Sequence, residues 1–204
     1  MKRILSILLA TLLLLSVCAL GGCGKATGKH HVEIKVKDYG VIRVELDADM
    51  APITVTNFLK LAESGFYDGL TFHRIMEGFM IQGGDPKGNG TGGSDPIKGE
   101  FLANGVNNTI SHKRGVISMA RQGDGYTIKD GQLVYQTGYD TGSCQFFIMH
   151  QDYPSLDGLY AAFGHVTMGM DVVDAIAESV PVVDNNGTVK EGYAPVIEYV
   201  KVLD

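Results

Sequence analysis

The chain has 204 residues, with 17 Lys and Arg against 23 Asp and Glu and a net charge of −6 at pH 7. That length suits one ordinary domain, and the acidic balance argues against a nucleic-acid or other polyanion-binding protein. Hydrophobic residues at 45% and charged residues at 20% exclude a disordered chain and a polytopic membrane protein. Cys18, Cys23 and Cys144 are too few and too scattered for a disulfide framework or a CxxC zinc site. The 27 glycines, roughly double the usual share, predict a fold rich in turns.

Lys2 and Arg3 precede an uncharged, strongly apolar run that lasts to Gly24, the pattern of an export signal. The run is nearly long enough to span a bilayer, so a retained single-pass anchor is the competing reading. The residues at its end decide: Leu20-Gly21-Gly22-Cys23 resembles the lipobox of bacterial lipoproteins. The resemblance implies a signal peptide at 1–22, a fatty-acylated Cys23 and a domain tied to the outer face of the cell membrane. Without residues 1–22, 15 basic residues face 23 acidic ones, a charge of −8 over 182 residues. Residues 23–31 read as the lipidated cysteine and a flexible polar tether. His30 and His31 in it have no partner cysteine or carboxylate cluster, so no metal site is expected there.

From Val32 apolar and polar residues alternate: Val32, Ile34 and Val36, a turn at Asp38-Tyr39-Gly40, then Ile42, Val44 and Leu46. Period two on both sides of a turn predicts a β-hairpin. Pro52 opens a segment whose Val55, Phe58, Leu59 and Ala62 fall at i, i+3, i+4 and i+7 and which Gly65 closes, an amphipathic helix. A second stripe, Val173, Ile176, Ala177 and Val180, starts near Asp171 and stops at Pro181. The rest is short apolar runs at 70–75, 79–82, 115–120, 145–150, 161–166 and 196–203. Many short strands and two helices predict a mainly β domain over 32–204, a closed barrel or sandwich with helices able to plug a barrel's ends.

Two connections, 83–99 and 121–142, are long and read as loops. In the first, Gly88-Asn89-Gly90-Thr91-Gly92-Gly93 satisfies GxGxxG in form only, because Ser94-Asp95-Pro96 follows where a dinucleotide fingerprint must open a helix. Lys87 lies in no GK[ST] context, and neither Ser111-His112 nor Ser143 sits in a nucleophile elbow. No cofactor, metal or hydrolytic triad is expected.

The informative stretch runs from Phe72 to Asp85, through His73, Arg74, Phe79, Met80 and Gln82. It offers a planar cationic donor, an amide and apolar area on two strands separated by Glu77-Gly78. It closely resembles the signature of the cyclophilins, the cyclosporin-type peptidyl-prolyl cis/trans isomerases. The likeness continues in order through Gly115-Val116-Ile117-Ser118-Met119-Ala120-Arg121, Gln145-Phe146-Phe147-Ile148, Leu156-Asp157-Gly158 and Ala162-Phe163-Gly164.

The resemblance implies an eight-stranded antiparallel barrel capped by two α-helices and a prolyl isomerase without cofactor or metal. It casts Arg74 as the catalytic arginine and Gln82 as the glutamine that holds the substrate backbone. Phe79, Met80, Phe147 and Leu156 match the family's apolar proline pocket, and Ala120, Arg121 and Gln145 residues along its peptide groove. Tyr160 stands where the family often has histidine, and either ring can pack beside a proline. His73 should face away from Arg74 by strand alternation, and His112, His150 and His165 take no role. Cys144 reads as packing. Ser155 replaces a tryptophan that contacts cyclosporin in many members, so weak cyclosporin binding is expected. Arg121 replaces a common asparagine, and the long 121–142 connection could overhang the groove. The expected partners are proline-containing exported polypeptides and, through the lipid, the membrane; the protein is read as a monomer. The alternative is a proline-peptide-binding chaperone or scaffold with little turnover.

Overall fold

In the computed structural model, residues 24–204 are described; the segment expected to be a signal peptide, 1–22, and Cys23 lie outside them. The first hairpin is β1 (Lys29–Val36) and β2 (Gly40–Asp47), whose inward residues Val32, Ile34, Val36, Ile42, Val44 and Leu46 are fully buried. β1 begins inside the segment read as tether, because β2 is long enough for Lys29, His30 and His31 to pair with Asp47, Leu46 and Glu45. The residues before it are also docked: the Ala26 N–H donates to Thr56 Oγ1 at 2.7 Å and the Gly28 N–H to Asp49 Oδ1 at 2.8 Å.

Helix α1 (Pro52–Glu63) buries Val55, Phe58, Leu59 and Ala62, as its stripe requires. Its opening N–H groups lack a local side-chain cap. The buried Glu100 carboxylate supplies one from 46 residues away, accepting the N–H groups of Ile53 (3.0 Å) and Thr54 (2.8 Å) and the Thr54 hydroxyl (2.8 Å). Helix α2 (Met170–Ser179) buries Val172, Val173, Ile176 and Ala177. Among the described residues, no helix is long and apolar enough to cross a membrane.

The remaining strands are β3 (Phe72–Met76), β4 (Met80–Gly83), β5 (Val116–Met119), β6 (Gly125–Lys129), β7 (Gln132–Gln136), β8 (Phe146–Met149), β9 (Ala162–Met168) and β10 (Ile197–Val202). Eight form one antiparallel sheet in the order β10-β1-β2-β9-β5-β8-β4-β3. The sheet curls until its edges meet: Thr71 bridges Val196, the Phe72 N–H donates to Pro195 O at 3.0 Å, and the Ile197 N–H to Leu70 O at 2.8 Å. Inside lies the main core, where Phe58 packs against Tyr67, Phe146 and Phe163 with ring centroids 5.0, 5.5 and 5.3 Å away.

β6 and β7 stand apart as a two-stranded hairpin. They correct the reading of 121–142 as a loop. Asp130 and Gly131, with φ of 51° and 78°, form the turn, as a two-residue type I′ connection requires.

Candidate active site

The sheet carries a second, smaller apolar cluster on its outer face, made of Met80, Val116, Phe147, Met149 and Ala162, with Phe79, Ala120, Leu156 and Tyr160 packed against it. Strand alternation separates the two layers: in β8, Phe146 and Ile148 join the inner core while Phe147 and Met149 face outward. In β3 the alternation is reset at His73. Phe72 pairs with Gly83 and Arg74 with Gln82, so His73 is the extra residue of a bulge. Phe72 and Ile75 can therefore both enter the inner core while Arg74 emerges on the outer face.

Register then places the polar residues. Arg74 pairs with Gln82, Gln82 with Phe147, and Phe147 with Ser118, a single lateral row across β3, β4, β8 and β5. Adjacent strands lie about 4.8 Å apart, so residues distant in sequence become neighbours. Arg74 Nη1 donates to Gln82 Oε1 at 3.1 Å, Gln82 Nε2 to Gln145 Oε1 at 3.0 Å, and Gln145 Nε2 to the carbonyls of Gly92 (2.7 Å) and Gly90 (3.2 Å). The glycine-rich loop thus ends a directed hydrogen-bond chain, and the next element after it is a single 3₁₀ turn at Leu102–Asn104 rather than an α-helix. Its own shape is held by the buried Asp85 carboxylate, which accepts the N–H groups of Lys87, Asn89 and Gly90. Burial pushes this carboxyl upward, but those backbone donors hold it below the ordinary value.

Arg74 is fixed on its other side by a segment that sequence reasoning missed. Its Nε donates to Asn186 O at 2.8 Å and Nη2 lies 3.2 Å from Met76 Sδ. Asp184 closes the turn by accepting the N–H groups of Asn186 and Thr188, each at 3.0 Å. The Ile75 N–H then pins Gly187 O at 2.8 Å. At Gly187 φ is +81° and a Cβ would collide with the Ile75 carbonyl, so only glycine lets the turn lie this close to β3. The string Asp184-Asn185-Asn186-Gly187 signals a turn, but nothing local says that it abuts Arg74.

A cavity of 170 Å³ opens beside this row. Its walls are Arg74 and Gln82, the apolar Phe79, Met80, Phe147 and Leu156, and Ala120, Arg121 and Tyr160. Nine of the ten residues singled out from sequence therefore surround one space; Gln145 stands behind Gln82 and lines the adjoining 610 Å³ depression. Of the five N–H groups of a guanidinium, Arg74 commits one at each nitrogen. Among the described residues the other two have no hydrogen-bond partner. Burial lowers its pKa from the usual arginine range, with Tyr160 and Asp184 opposing, and an arginine remains charged regardless.

A sequence model of the family described as cyclophilin type peptidyl-prolyl cis-trans isomerase/CLD matches residues 31–202. The chain belongs to this family. Peptidyl-prolyl cis-trans isomerase B of Bacillus subtilis is 44% identical over 137 residues, 67% of this chain and 82% of that protein. Peptidyl-prolyl cis-trans isomerase-like 2 of Rhizopus delemar is 41% identical over 148 residues, 72% of this chain but only 25% of that longer protein. A crystal structure of a Cryptosporidium parvum cyclophilin-type isomerase matches with a TM-score of 0.69 at 28% identity, over 86% of this chain and 98% of that one. Its structure in the presence of the dipeptide Ala-Pro gives 0.67 at 27% identity, over 85% and 99%.

In this cyclophilin the cavity floor has a support that the sequence did not suggest. His112 is fully buried, with Nδ1 2.9 Å from Asp157 Oδ1 and Nε2 3.0 Å from Ser118 Oγ, and its ring stacks on Phe147 at 6.1 Å. A neutral ring donating from Nδ1 and accepting from the Ser118 hydroxyl satisfies both contacts. Burial lowers the pKa of His112 despite Asp157. His73 is also buried, outside the cavity lining, and also lowered by burial; among the described residues neither of its ring nitrogens has a hydrogen-bond partner. Cys144 sits in the inner core and burial pushes its thiol up, in keeping with packing.

Two histidines depressed in the folded state set the sign of a pH effect. The unfolded chain takes up protons near the ordinary value of 6.5, and the folded chain only at lower pH. Their stabilisation is present above that value and is lost as pH falls through the depressed folded values. His31, raised chiefly by its hydrogen bond to Asp204, contributes with the opposite sign, but it is exposed and its share is small. Urea midpoints should therefore fall between pH 7.5 and 5.0, and His112→Asn should flatten the dependence. A midpoint that rises on acidification would contradict this.

Proposed function

We propose that the 170 Å³ cavity takes the prolyl ring of an unfolded polypeptide and that Arg74 is the catalytic residue for rotation about the preceding amide. The observation that carries the reading is the lateral row of Arg74, Gln82 and Phe147 beside an apolar space, with two guanidinium N–H groups uncommitted. The Xaa–Pro barrier, about 18–20 kcal/mol, comes from delocalisation of the nitrogen lone pair into the carbonyl. No covalent bond breaks. In the twisted transition state the lone pair returns to nitrogen and becomes a hydrogen-bond acceptor, so Arg74 gains a bond that the planar ground state does not offer.

Phe79, Met80, Phe147 and Leu156 grip the ring, Gln82 holds a neighbouring backbone group with its second amide N–H, and Ala120, Arg121, Gln145 and Tyr160 line the peptide's path. An acceleration of four decades needs about 5.4 kcal/mol, within reach of one charge-assisted bond plus positioning. Acceleration of cis-to-trans exchange in a short Xaa-Pro peptide tests the reading. No acceleration at micromolar protein would favour the chaperone or scaffold alternative. Ser155, exposed beside Leu156, offers no ring to cyclosporin, so binding of that ligand should be weak.

The substrates in this reading are exported proteins folding at the outer face of the cytoplasmic membrane, and Cys23 carries the lipid. Support comes from the export pattern and from Leu20-Gly21-Gly22-Cys23. Because Ala26 is already tied to α1, only about 10 Å of chain separates an acylated Cys23 from the fold, holding the domain against the bilayer. Metabolic labelling with a fatty acid should mark the wild type and spare Cys23→Ala; equal labelling would remove the lipoprotein assignment.

A further inference from the structure

The β6–β7 hairpin lies between two site residues, Arg121 and Gln145, yet adds nothing to the barrel. Tyr126 pairs with Tyr135 and Ile128 with Leu133. Residues directly opposite, and residues two apart, share a face of a β-ribbon, so these four apolar side chains form one face. They are 70%, 55%, 75% and 70% exposed in that order. The Tyr126 and Tyr135 rings meet edge to face with centroids 5.3 Å apart, which helps to hold the ribbon. The opposite face carries Thr127, Lys129, Gln132 and Gln136 with Val134. A two-stranded ribbon is marginal in water by itself, and a contiguous apolar face left in solvent marks an interaction surface.

The hairpin's root is bolted to the cavity wall. Arg121 lies 4.8 Å over the Tyr160 ring and donates from Nε to Leu159 O at 3.0 Å and from Nη1 to Asp124 Oδ1 at 3.0 Å. The same Asp124 oxygen accepts the Gly138 N–H at 3.0 Å, and the Gln122 N–H reaches Thr141 Oγ1 at 2.9 Å, which ties the two strands together at their base. The surface is also continuous. The proline cavity shares Gln82, Ala120 and Arg121 with the 610 Å³ depression, which in turn shares Gln122 and Thr141 with a 320 Å³ trough; that trough meets the apolar face at Tyr126 and the opposite face at Thr127 and Gln136.

We propose that the apolar face of the β6–β7 hairpin is a second binding surface for an extended, apolar stretch of the same unfolded polypeptide whose proline fills the cavity. The inference rests on the isomerase reading. The groove reaches this face at Tyr126, next to the hairpin's root, which identifies the occupant as substrate chain running outward from the cavity, and the four uncharged side chains select aromatic and aliphatic residues. A short peptide fills the cavity alone and leaves the hairpin empty, whereas a long unfolded chain engages both.

The test replaces Tyr126, Ile128, Leu133 and Tyr135 together by serine and compares two substrates: a short Xaa-Pro peptide, and an unfolded disulfide-free protein whose refolding is limited by prolyl isomerisation. The variant should keep the peptide rate and lose about tenfold in kcat/KM on the protein, through KM, equivalent to about 1.4 kcal/mol of binding. Retained peptide activity also shows that the barrel has folded. Equal activity on both substrates would overturn the inference. So would an unchanged protein rate accompanied by lost co-sedimentation with phosphatidylglycerol vesicles, which would assign the face to the membrane. A wild type inactive on the short peptide would instead remove the isomerase reading.

Discussion

Arg74→Ala should lower kcat/KM for cis-to-trans exchange of a short Xaa-Pro peptide by about 10²–10³-fold, the loss typical of one transition-state donor. The fold should survive. Arg74 is only half-buried, and its partners Gln82 and Asn186 O lie near solvent, so no unpaired charge is left inside the protein. Arg74→Lys keeps the charge but not the planar fork that reaches Gln82, Asn186 and the cavity together, so it should recover only part of the rate. Peptide exchange by NMR beside a melting curve checks both statements. A large loss of stability would mean that the arginine belongs to the scaffold.

Phe58→Ala should show the reverse. This ring, fully buried on α1, touches Tyr67, Phe146 and Phe163, and removing a buried phenylalanine costs about 3–5 kcal/mol. That is a large share of a domain's net stability of about 5–15 kcal/mol and should lower Tm by roughly 10 °C. Phe58 does not line the cavity, so the surviving folded molecules should keep their rate per molecule at low temperature. Urea denaturation and a rate normalised to folded protein separate the two effects. A stable variant would mean that the aromatic cluster repacks around the gap.

Both contrasts depend on residues whose legibility in the sequence differed. The helix stripe that contains Phe58 is local and periodic, so α1 and α2 emerge from spacing alone. The short strands emerge as apolar runs, but their order does not, because pairing β4 with β8 joins Gln82 to Phe147 across 65 residues. Arg74, Gln82, Phe147 and the cavity around them were found through family likeness rather than pattern. Glu100 capping α1, Asn186 holding Arg74 and His112 beneath Phe147 are long-range contacts with no local signal. The bulge at His73 is likewise set by pairing: simple alternation does not hold there, and His73 is absent from the cavity lining. The hairpin at 125–136 is different: Asp130-Gly131 between Tyr126, Ile128, Leu133 and Tyr135 is a strong hairpin signal, and reading the whole connection as loop passed over it. Lys29 to His31 were read as tether because polar composition hides a strand whose partner, β2, is the stronger half.

The role of Arg74 in rotation rather than binding is tested most directly by two-dimensional exchange NMR on an isotope-labelled Xaa-Pro peptide. The measurement gives both Kd and the interconversion rate on the protein, for wild type and Arg74→Ala. The expected result is a Kd changed by less than about threefold and an on-protein rate lowered by about 100-fold or more. A Kd weakened in proportion, with the on-protein rate unchanged, would make Arg74 a binding residue and contradict transition-state stabilisation at the prolyl nitrogen.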